Sequence, residues 1–596
     1  MIKVSSATVA AFIWLFIAAI SFFYYPKWKN AGTESTLSWD VSGYYWYLPA
    51  VFIYKDVKHL EFSQDILKKY QCTPDFQQAL PLPNGNMVLK YSSGLALQYL
   101  PFFAVAHAVA APLGYAPDGF STPYQLAIHI GGLLMCLIGL FFLRKVLLQY
   151  FSDRVVSIVL LCLVFTKNYL NFAAIDMPQT HNWLFTWYAI LLYLSDRFYR
   201  QPSLGKAAGI GAVVGICALT RPTDFISVLI PLFWGMPSLR RDAIRERLRF
   251  IRHHAAMYTT AMVITALIGS IQLCYWKYVS GHWLVYSYGE QSFSWLKPHV
   301  YYYMFSARTG WLVYTPVMLF ALLGLISLYR MKINFWALFL FILINTYIVT
   351  AWDIWWYGGR AMVQSYAVLS FPLAAFIAAV EGSKIKKTLF YVVLAAFAYY
   401  NLWYTHQMHR GGLVDPYNMT RPYFWAVLGR FKVPEETLKL YDTRYIYTGN
   451  RKEVKEIFFD NFDADTTLLK AGKQFNGTPC EFVGAGKEYT QIASVPLEPG
   501  AATWLRLSAD FKCSLKEWEN WRMPQLCVMF KDGTKNVKGY SIRMHRFLNN
   551  GDQKNLYIDV KLPKKTFHSV DLYVWNPGSP QELLIDNMRA ELYEEE

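Results

Sequence analysis

The feature that most limits what this chain can fold into is a series of long, nearly uncharged apolar stretches joined by short loops, every second one of them basic. A bilayer core takes about 20 apolar residues per helix. By that rule the sequence predicts eleven spans, near 7–25, 123–143, 155–171, 183–198, 207–219, 225–237, 255–276, 310–329, 333–351, 361–380 and 388–404. Of the 596 residues 54% are hydrophobic and 16% charged, where a soluble domain carries about a quarter charged. No small-residue cleavage site follows the first span, so it is expected to be kept as an anchor. Gly211 and Gly215 in "GIGAVVG" offer a small-residue face for close helix packing.

Lys and Arg in short loops set orientation. The basic loops carry Arg144, Lys145 and Arg154; Arg197, Arg200 and Lys206; the run from Arg240 to Arg252; Arg330 and Lys332; and Lys384, Lys386 and Lys387. These loops are predicted to be cytoplasmic, with the N-terminus. The net charge of +16 is then a matter of topology, and nucleic acid is not an expected partner. Loops 172–182, 220–224 and 352–360, and everything after Tyr404, are expected outside. Segment 94–114 leaves two arrangements open. If it crosses, loop 26–93 is cytoplasmic; if it lies in the interface, that loop and Asp40 are outside. Pro101 and the flanking Gly94 and Pro112 weigh against a straight spanning helix.

Ionisable residues near membrane depth are expensive and mark function. The outer ends of the spans offer Asp40, Asp176, His181, Arg221, Asp224, Arg308, Asp353 and Arg360. Taken singly, each has a structural reading as a cap, turn or local ion pair. Together, carboxylates on some loops and arginines on others suit a phosphate-bearing substrate plus a group that loses a proton. Arg grips phosphate with a planar fork, and a carboxylate can serve as general base toward a hydroxyl. Trp352, Trp356 and Tyr357 in "WDIWWYGGR", like Tyr44 and Tyr45 in "SWDVSGYYWYLP", suit either an aromatic belt or stacking on a sugar.

The segments "SWDVSGYYWYLP", "IDMPQTHNWLF", "GICALTRPTDF", "MFSARTGWLVYTPVMLFALLGL" and "WDIWWYGGRAMVQSY" resemble, in their order, membrane glycosyltransferases of the C-type superfold. Protein O-mannosyltransferases and aminoarabinose transferases belong to that broad group. The resemblance covers residues 1–405. It implies a long first external loop, 26–122, with interfacial helices, Asp40 outside, and a place in the bacterial inner (cytoplasmic) membrane. It implies transfer of a sugar from a polyprenyl-phosphate-linked donor to a glycan, lipid or protein hydroxyl at the extracytoplasmic face, with inversion and Asp40 as general base. Asp176 and His181 would orient the acceptor or Asp40. Arg221, Arg360, Arg308 and Lys90 would hold the donor phosphate, and Tyr44, Tyr45, Trp352, Trp356 and Tyr357 the sugar or acceptor. No cofactor is required on this reading, although Asp40 and Asp176 could share a divalent metal. Many relatives carry two adjacent acids at the first motif; here Val41 follows Asp40.

From about residue 450 the pattern changes to short alternating strands between Gly, Asn, Asp and Pro turns. This predicts an extracytoplasmic antiparallel β-sandwich over 451–596, reached by a linker at 406–450 on the membrane surface. "FFDNFD" and "LLIDNMRAELY" resemble edge strands of jelly-roll carbohydrate-binding modules, in which Asp460, Asp463 and Asp586 would hold a structural calcium. A solvated acidic turn is the plainer reading. Asp463-Ala464-Asp465 has DxD spacing, but nucleotide sugars are not expected outside the membrane. Eight scattered cysteines without CxxC indicate neither zinc nor a disulfide framework, and Cys480, Cys513 and Cys527 allow at most one pair among them. Two other classes of function fit the composition. A transporter or flippase of lipid-linked glycans should show mid-span charges and internal repeats, and neither is visible. A membrane anchor displaying a glycan-binding β-domain would not need ordered charges at the outer ends.

Overall fold

The computed structural model describes residues 5–353, 358–415, 418–464, 468, 471–498 and 500–595. The chain forms two compact units, Met1–Pro416 and Tyr417–Glu596.

The first unit is helical apart from one short antiparallel hairpin, Ala79–Pro81 with Met87–Leu89. A helix occupies each of the eleven apolar segments, although 155–171, 225–237 and 310–329 are each broken into two. Among the described residues, three helices are by length and composition able to cross a membrane: Ser6–Lys29, Thr122–Leu147 and Ala255–Ser280. Six other apolar helices have 10–17 residues. At 1.5 Å per residue, 17 residues reach about 25 Å, short of a bilayer core of about 30 Å. The eleven-span arrangement therefore rests on the sequence pattern. Helix starts follow local chemistry: Ser5 accepts from the Thr8 amide, Ser152 from Val155 and Ser203 from Lys206.

The small-residue face works as expected of it. A Cβ at Gly211 would lie 2.4 Å from the Ala261 carbonyl oxygen, and one at Gly215 would lie 2.9 Å from the Ile268 Cβ. Thr265 donates to the Gly211 carbonyl at 2.9 Å across the same seam. Helix Leu204–Thr220 thus packs backbone-close on Ala255–Ser280.

Helix Gly94–Ala110 runs unbroken through Pro101. Its first residue sits on bare backbone, since a Cβ at Gly94 would lie 2.3 Å from the Thr220 amide nitrogen. Gln98 donates to Thr220 Oγ1 at 2.8 Å and accepts from Trp187 Nε1 at 2.6 Å. At its other end His107 Nδ1 meets the Tyr124 hydroxyl at 2.6 Å, in the first turn of helix Thr122–Leu147. Both ends of this helix therefore lie at one end of the helical unit, the end that holds Arg221 and loop 172–182.

The second unit is two antiparallel sheets over one apolar core. One sheet orders its strands as 535–543, 525–532, 569–575 and 493–496; the other as 553–561, 504–513, 583–595 and 451–460, with 481–483 also pairing to 583–595. Residues 504–513 alternate core-facing and half-buried positions, so Leu505, Leu507, Ala509 and Phe511 meet Val528, Phe530, Val570 and Leu572 inside. The segment before the first strand belongs to this unit: Asp442 accepts from Arg543, and Tyr423 stacks on Tyr441 with ring centres 3.7 Å apart. The unit thus begins ahead of residue 451. All eight cysteines are free thiols, with no disulfide among the described residues.

Candidate active site

The helix Trp39–Tyr45 places Asp40, and its start is strained. Trp39 has φ +48°, a left-handed value that costs a non-glycine residue about 1–3 kcal/mol. Three bonds hold it there. The Trp39 amide donates to the Cys72 carbonyl at 3.2 Å, and its carbonyl accepts from Gln78 Nε2 at 2.9 Å and Ser42 Oγ at 2.7 Å. Gly43 then leaves room for Tyr91, whose ring would lie 2.4 Å from a Cβ at that position. Tyr91 stacks on Tyr44 at 4.4 Å and donates its hydroxyl to Asp40 Oδ1 at 2.7 Å.

Arg360 closes the other side of the carboxylate, donating Nη2 to Asp40 Oδ2 at 2.9 Å across 320 residues of sequence. Lys90 lies over the Tyr91 and Tyr288 rings, 5.6 and 5.8 Å from their centres. Burial pushes the Asp40 carboxyl up, but Arg360, the Tyr91 hydrogen bond and Lys90 together outweigh it and hold it below its ordinary value. Burial lowers the Lys90 ammonium, an effect that Asp40 opposes in part.

Arg221 follows the last turn of helix Leu204–Thr220 in extended conformation. Its charge acts on Tyr44, Tyr288 and His181, which places it with this group. Its Nη1 is buried with no hydrogen-bond partner among the described residues. Asp224, three residues on, accepts from Tyr188 and makes no ion pair with Arg221 among the described residues. His181 Nδ1 bonds Gln364 Oε1 at 3.0 Å and feels Arg221, Arg360 and Asp40. Three cations, Lys90, Arg221 and Arg360, therefore lie in one group with the carboxylates of Asp40 and Asp224.

The structure brings Asp40, His181, Arg221, Arg360, Lys90 and Tyr44 together. Trp352 joins the edge of the group, its ring 5.6 Å from Tyr288. Asp176 does not join. Its carboxylate takes Lys27 Nζ at 2.6 Å and Asn171 Nδ2 at 3.0 Å, and Asn171 Oδ1 takes His409 Nε2 at 2.6 Å. That network closes on itself, so the idea of a metal shared by Asp40 and Asp176 has no geometric basis: the two acids are held by different partners. Tyr45 is fully buried against Tyr99, Phe103 and Phe120, with its hydroxyl on the Gly119 carbonyl, and it belongs to the core beneath the site. Arg308 is exposed. Trp356 and Tyr357 lie outside the described residues, as does Asp465 of the DxD-spaced stretch.

Sequence reasoning missed Tyr91, Tyr288 and Gln364. Tyr91 had a signal, since it follows Lys90 in "LKYSSG", and so had Gln364, which lies within "WDIWWYGGRAMVQSY"; Tyr288 had none.

In the second unit Asp586 is crowded by Asp463, Asp510 and Asp460, and burial together with these neighbours raises its carboxyl above the ordinary value. Asn461 donates to Asp463 at 2.7 Å and Asn587 to Asp510 at 2.9 Å, so side-chain amides already use these oxygens. Among the described residues no group of three or more His, Cys, Asp or Glu is arranged to hold a metal ion. The calcium expected at Asp460, Asp463 and Asp586 thus gains no support from a ready-made ligand group among the described residues.

No family model matches the chain, and no curated protein matches it. Among solved structures it is similar to the arabinosyltransferase EmbB from Mycobacterium smegmatis, determined by single-particle cryo-electron microscopy. Identity is 10% and the TM-score 0.29, over 83% of this chain and 63% of that one. The chain thus spans less than two thirds of that protein's length. With a TM-score this low, the functional reading rests on the residues themselves.

Proposed function

We infer that the chain is a membrane glycosyltransferase that moves a sugar from a polyprenyl-phosphate-linked donor to an acceptor hydroxyl, inverting the anomeric carbon. The observation that carries this reading is the Asp40 group: an ionised carboxylate beside Lys90, Arg221 and Arg360, one of which keeps a buried N–H without a partner.

Asp40 accepts the proton of the acceptor O–H while that oxygen forms its bond to the anomeric carbon. The bond from that carbon to the phosphate oxygen breaks, and its electron pair leaves on the phosphate. The free Arg221 N–H and Lys90 stabilise the charge that develops there. Arg360 keeps Asp40 ionised and aimed. Tyr44, Tyr91, Tyr288 and Trp352 supply ring faces that hold the sugar and exclude water as a competing acceptor. The leaving phosphate is stable as an anion, so no strong general acid is called for. The eleven-span topology, with Asp40 and the β-sandwich outside and the basic loops inside, belongs to the same reading.

The test uses the full chain in lipid nanodiscs with polyprenyl-phosphate-linked hexose and pentose donors. Sugar transfer with release of polyprenyl phosphate is expected, and Asp40→Asn should abolish it. Transfer from a nucleotide sugar without any lipid donor, or full activity in Asp40→Asn, would overturn the proposal.

A further inference from the structure

The segment 282–305 connects helix Ala255–Ser280 to the helices that follow, and Tyr288 is its one residue placed in the site above. Little of helix Ala255–Ser280 is buried in the protein, so its sides face lipid wherever it crosses a bilayer. Its last turns lie beside the site: Asn84 and Asn86 donate to the Val279 carbonyl at 3.0 and 2.7 Å, and Tyr275 accepts from the Leu89 amide at 2.9 Å. The segment therefore starts at the Asp40 end of a lipid-facing helix.

It carries an apolar surface that no part of its own unit covers. Leu296 is 96% exposed, Tyr301 77% and Leu284 76%, with Trp283, Trp295 and Phe305 also exposed. An apolar stretch this dense on a water-facing loop would be an aggregation site. Trp and Tyr mixed with Leu is the composition of a bilayer interface.

The same segment reaches back over the site. Ser287 Oγ donates to the Lys90 carbonyl at 2.7 Å, and Tyr288 packs edge-on against Tyr91 at 5.9 Å. Phe293 pairs with Trp352 along the backbone, and Ser292 and Ser294 donate to Asp353 at 2.9 and 2.7 Å. One face is greasy and the other is tied to the residues around Asp40.

We propose that residues 282–305 form an interfacial strap. Its apolar face is occupied by the hydrocarbon of the leaflet on the Asp40 side, and that seating holds Ser287 and Tyr288 over Lys90 and Tyr91. This rests on the membrane reading above, not on the transfer chemistry. The occupant is lipid because the strap continues the lipid-facing surface of the helix before it.

The experiment uses the full chain in nanodiscs of phosphatidylethanolamine and phosphatidylglycerol. Cys274 is the one exposed cysteine, so single nitroxide labels can be placed in a Cys274→Ser background at positions 284 and 296. Reference labels go at 267, in the middle of helix Ala255–Ser280, and at 535, the exposed first residue of strand 535–543 in the second unit. Oxygen and nickel-chelate accessibility at 284 and 296 should be lipid-like, shallower than the 267 label and clearly drier than the 535 label. If 267 reads dry while 284 and 296 read like 535, the strap lies in water and the proposal falls, leaving a protein partner as its occupant. If 267 itself reads wet, the membrane reading fails and the strap fails with it. The second readout is amide hydrogen exchange in a Leu284→Asp/Leu296→Asp variant. Exchange across 287–293 should rise at least tenfold. Unchanged exchange would mean that lipid seating does not hold the strap on the site.

Discussion

Asp40 and Asp176 are two carboxylates at the same end of the helical unit, each held by a cation at 2.9 and 2.6 Å respectively, yet their surroundings differ in kind. Around Asp176 the hydrogen bonds close: Lys27, Asn171 and His409 satisfy one another and tie the first helix to the end of the last. Around Asp40 they do not. Arg360 neutralises it, and Lys90 and the orphaned Arg221 N–H are left over. A balanced charge network stabilises; one with surplus donors waits for an anion. Contact with a carboxylate is therefore a poor guide to function, and the count of unspent donors nearby is a better one.

Removing the two acids should separate these roles most sharply. Asp40→Asn should lower transfer by about 10²–10⁴ while leaving the melting temperature nearly unchanged. Asp176→Asn should lower stability, with the activity of the folded fraction kept. A reversal of that pattern would exchange the two assignments. Next in size, Arg221→Ala should lower kcat about 10²–10³-fold, as for loss of a donor aimed at developing charge. Lys27→Met should strand Asp176 and cost about 3–5 kcal/mol, and Lys27→Met/Asp176→Leu should recover most of it. Thermal unfolding of both variants checks this.

The pH responses should also diverge. Burial outweighs the pull of Asp176 and lowers the His409 imidazole to about 4. In the unfolded chain it titrates near 6.5, so between pH 6.5 and 4 the unfolded state binds the extra proton and stability falls as pH falls. His409→Gln should flatten that slope in melting temperature. Asp40 has the same sign, since its folded carboxyl is also held down, but its window lies lower, below its ordinary value of 3.8. Its ion pair persists through mild acid, and Arg360→Gln should move the acidic limb of the activity profile upward in pH. A limb that stays in place would show that Arg360 does not set the ionisation of Asp40. The smallest effect concerns the second unit. Asp586→Asn should raise its melting temperature by a few degrees at pH 7, an advantage that fades as acid protonates the native aspartate.

How much of this could be read beforehand varies by the range of the interaction. Helices, their rough limits and the sandwich strands follow from composition and period, which are local. The convergence of Asp40, His181, Arg221 and Arg360 was legible because charges are so scarce at the span ends expected outside that few candidates compete. The pairing of Asp176 was not, because nothing local to Lys27 announces a partner 149 residues away. Tyr45 looked like a sugar platform beside Tyr44, but helical geometry turns neighbours about 100° apart, and one of them goes to the core. Tyr288 comes from a segment with no motif, and only the fold brings it in; Gln364 lies in a quoted segment, but nothing local marks it as the partner of His181.

Gly94 turns the distance between two halves of the site into something adjustable. Its bare backbone lies on Thr220, the residue before Arg221, while Tyr91 three residues earlier grips Asp40. On the proposed reading, base and cation are set apart by a spacer with no side chain. Alanine, serine and valine at this one position would act as shims of increasing thickness, a gauge of how far the reacting ends of donor and acceptor can be moved apart before the chemistry stops.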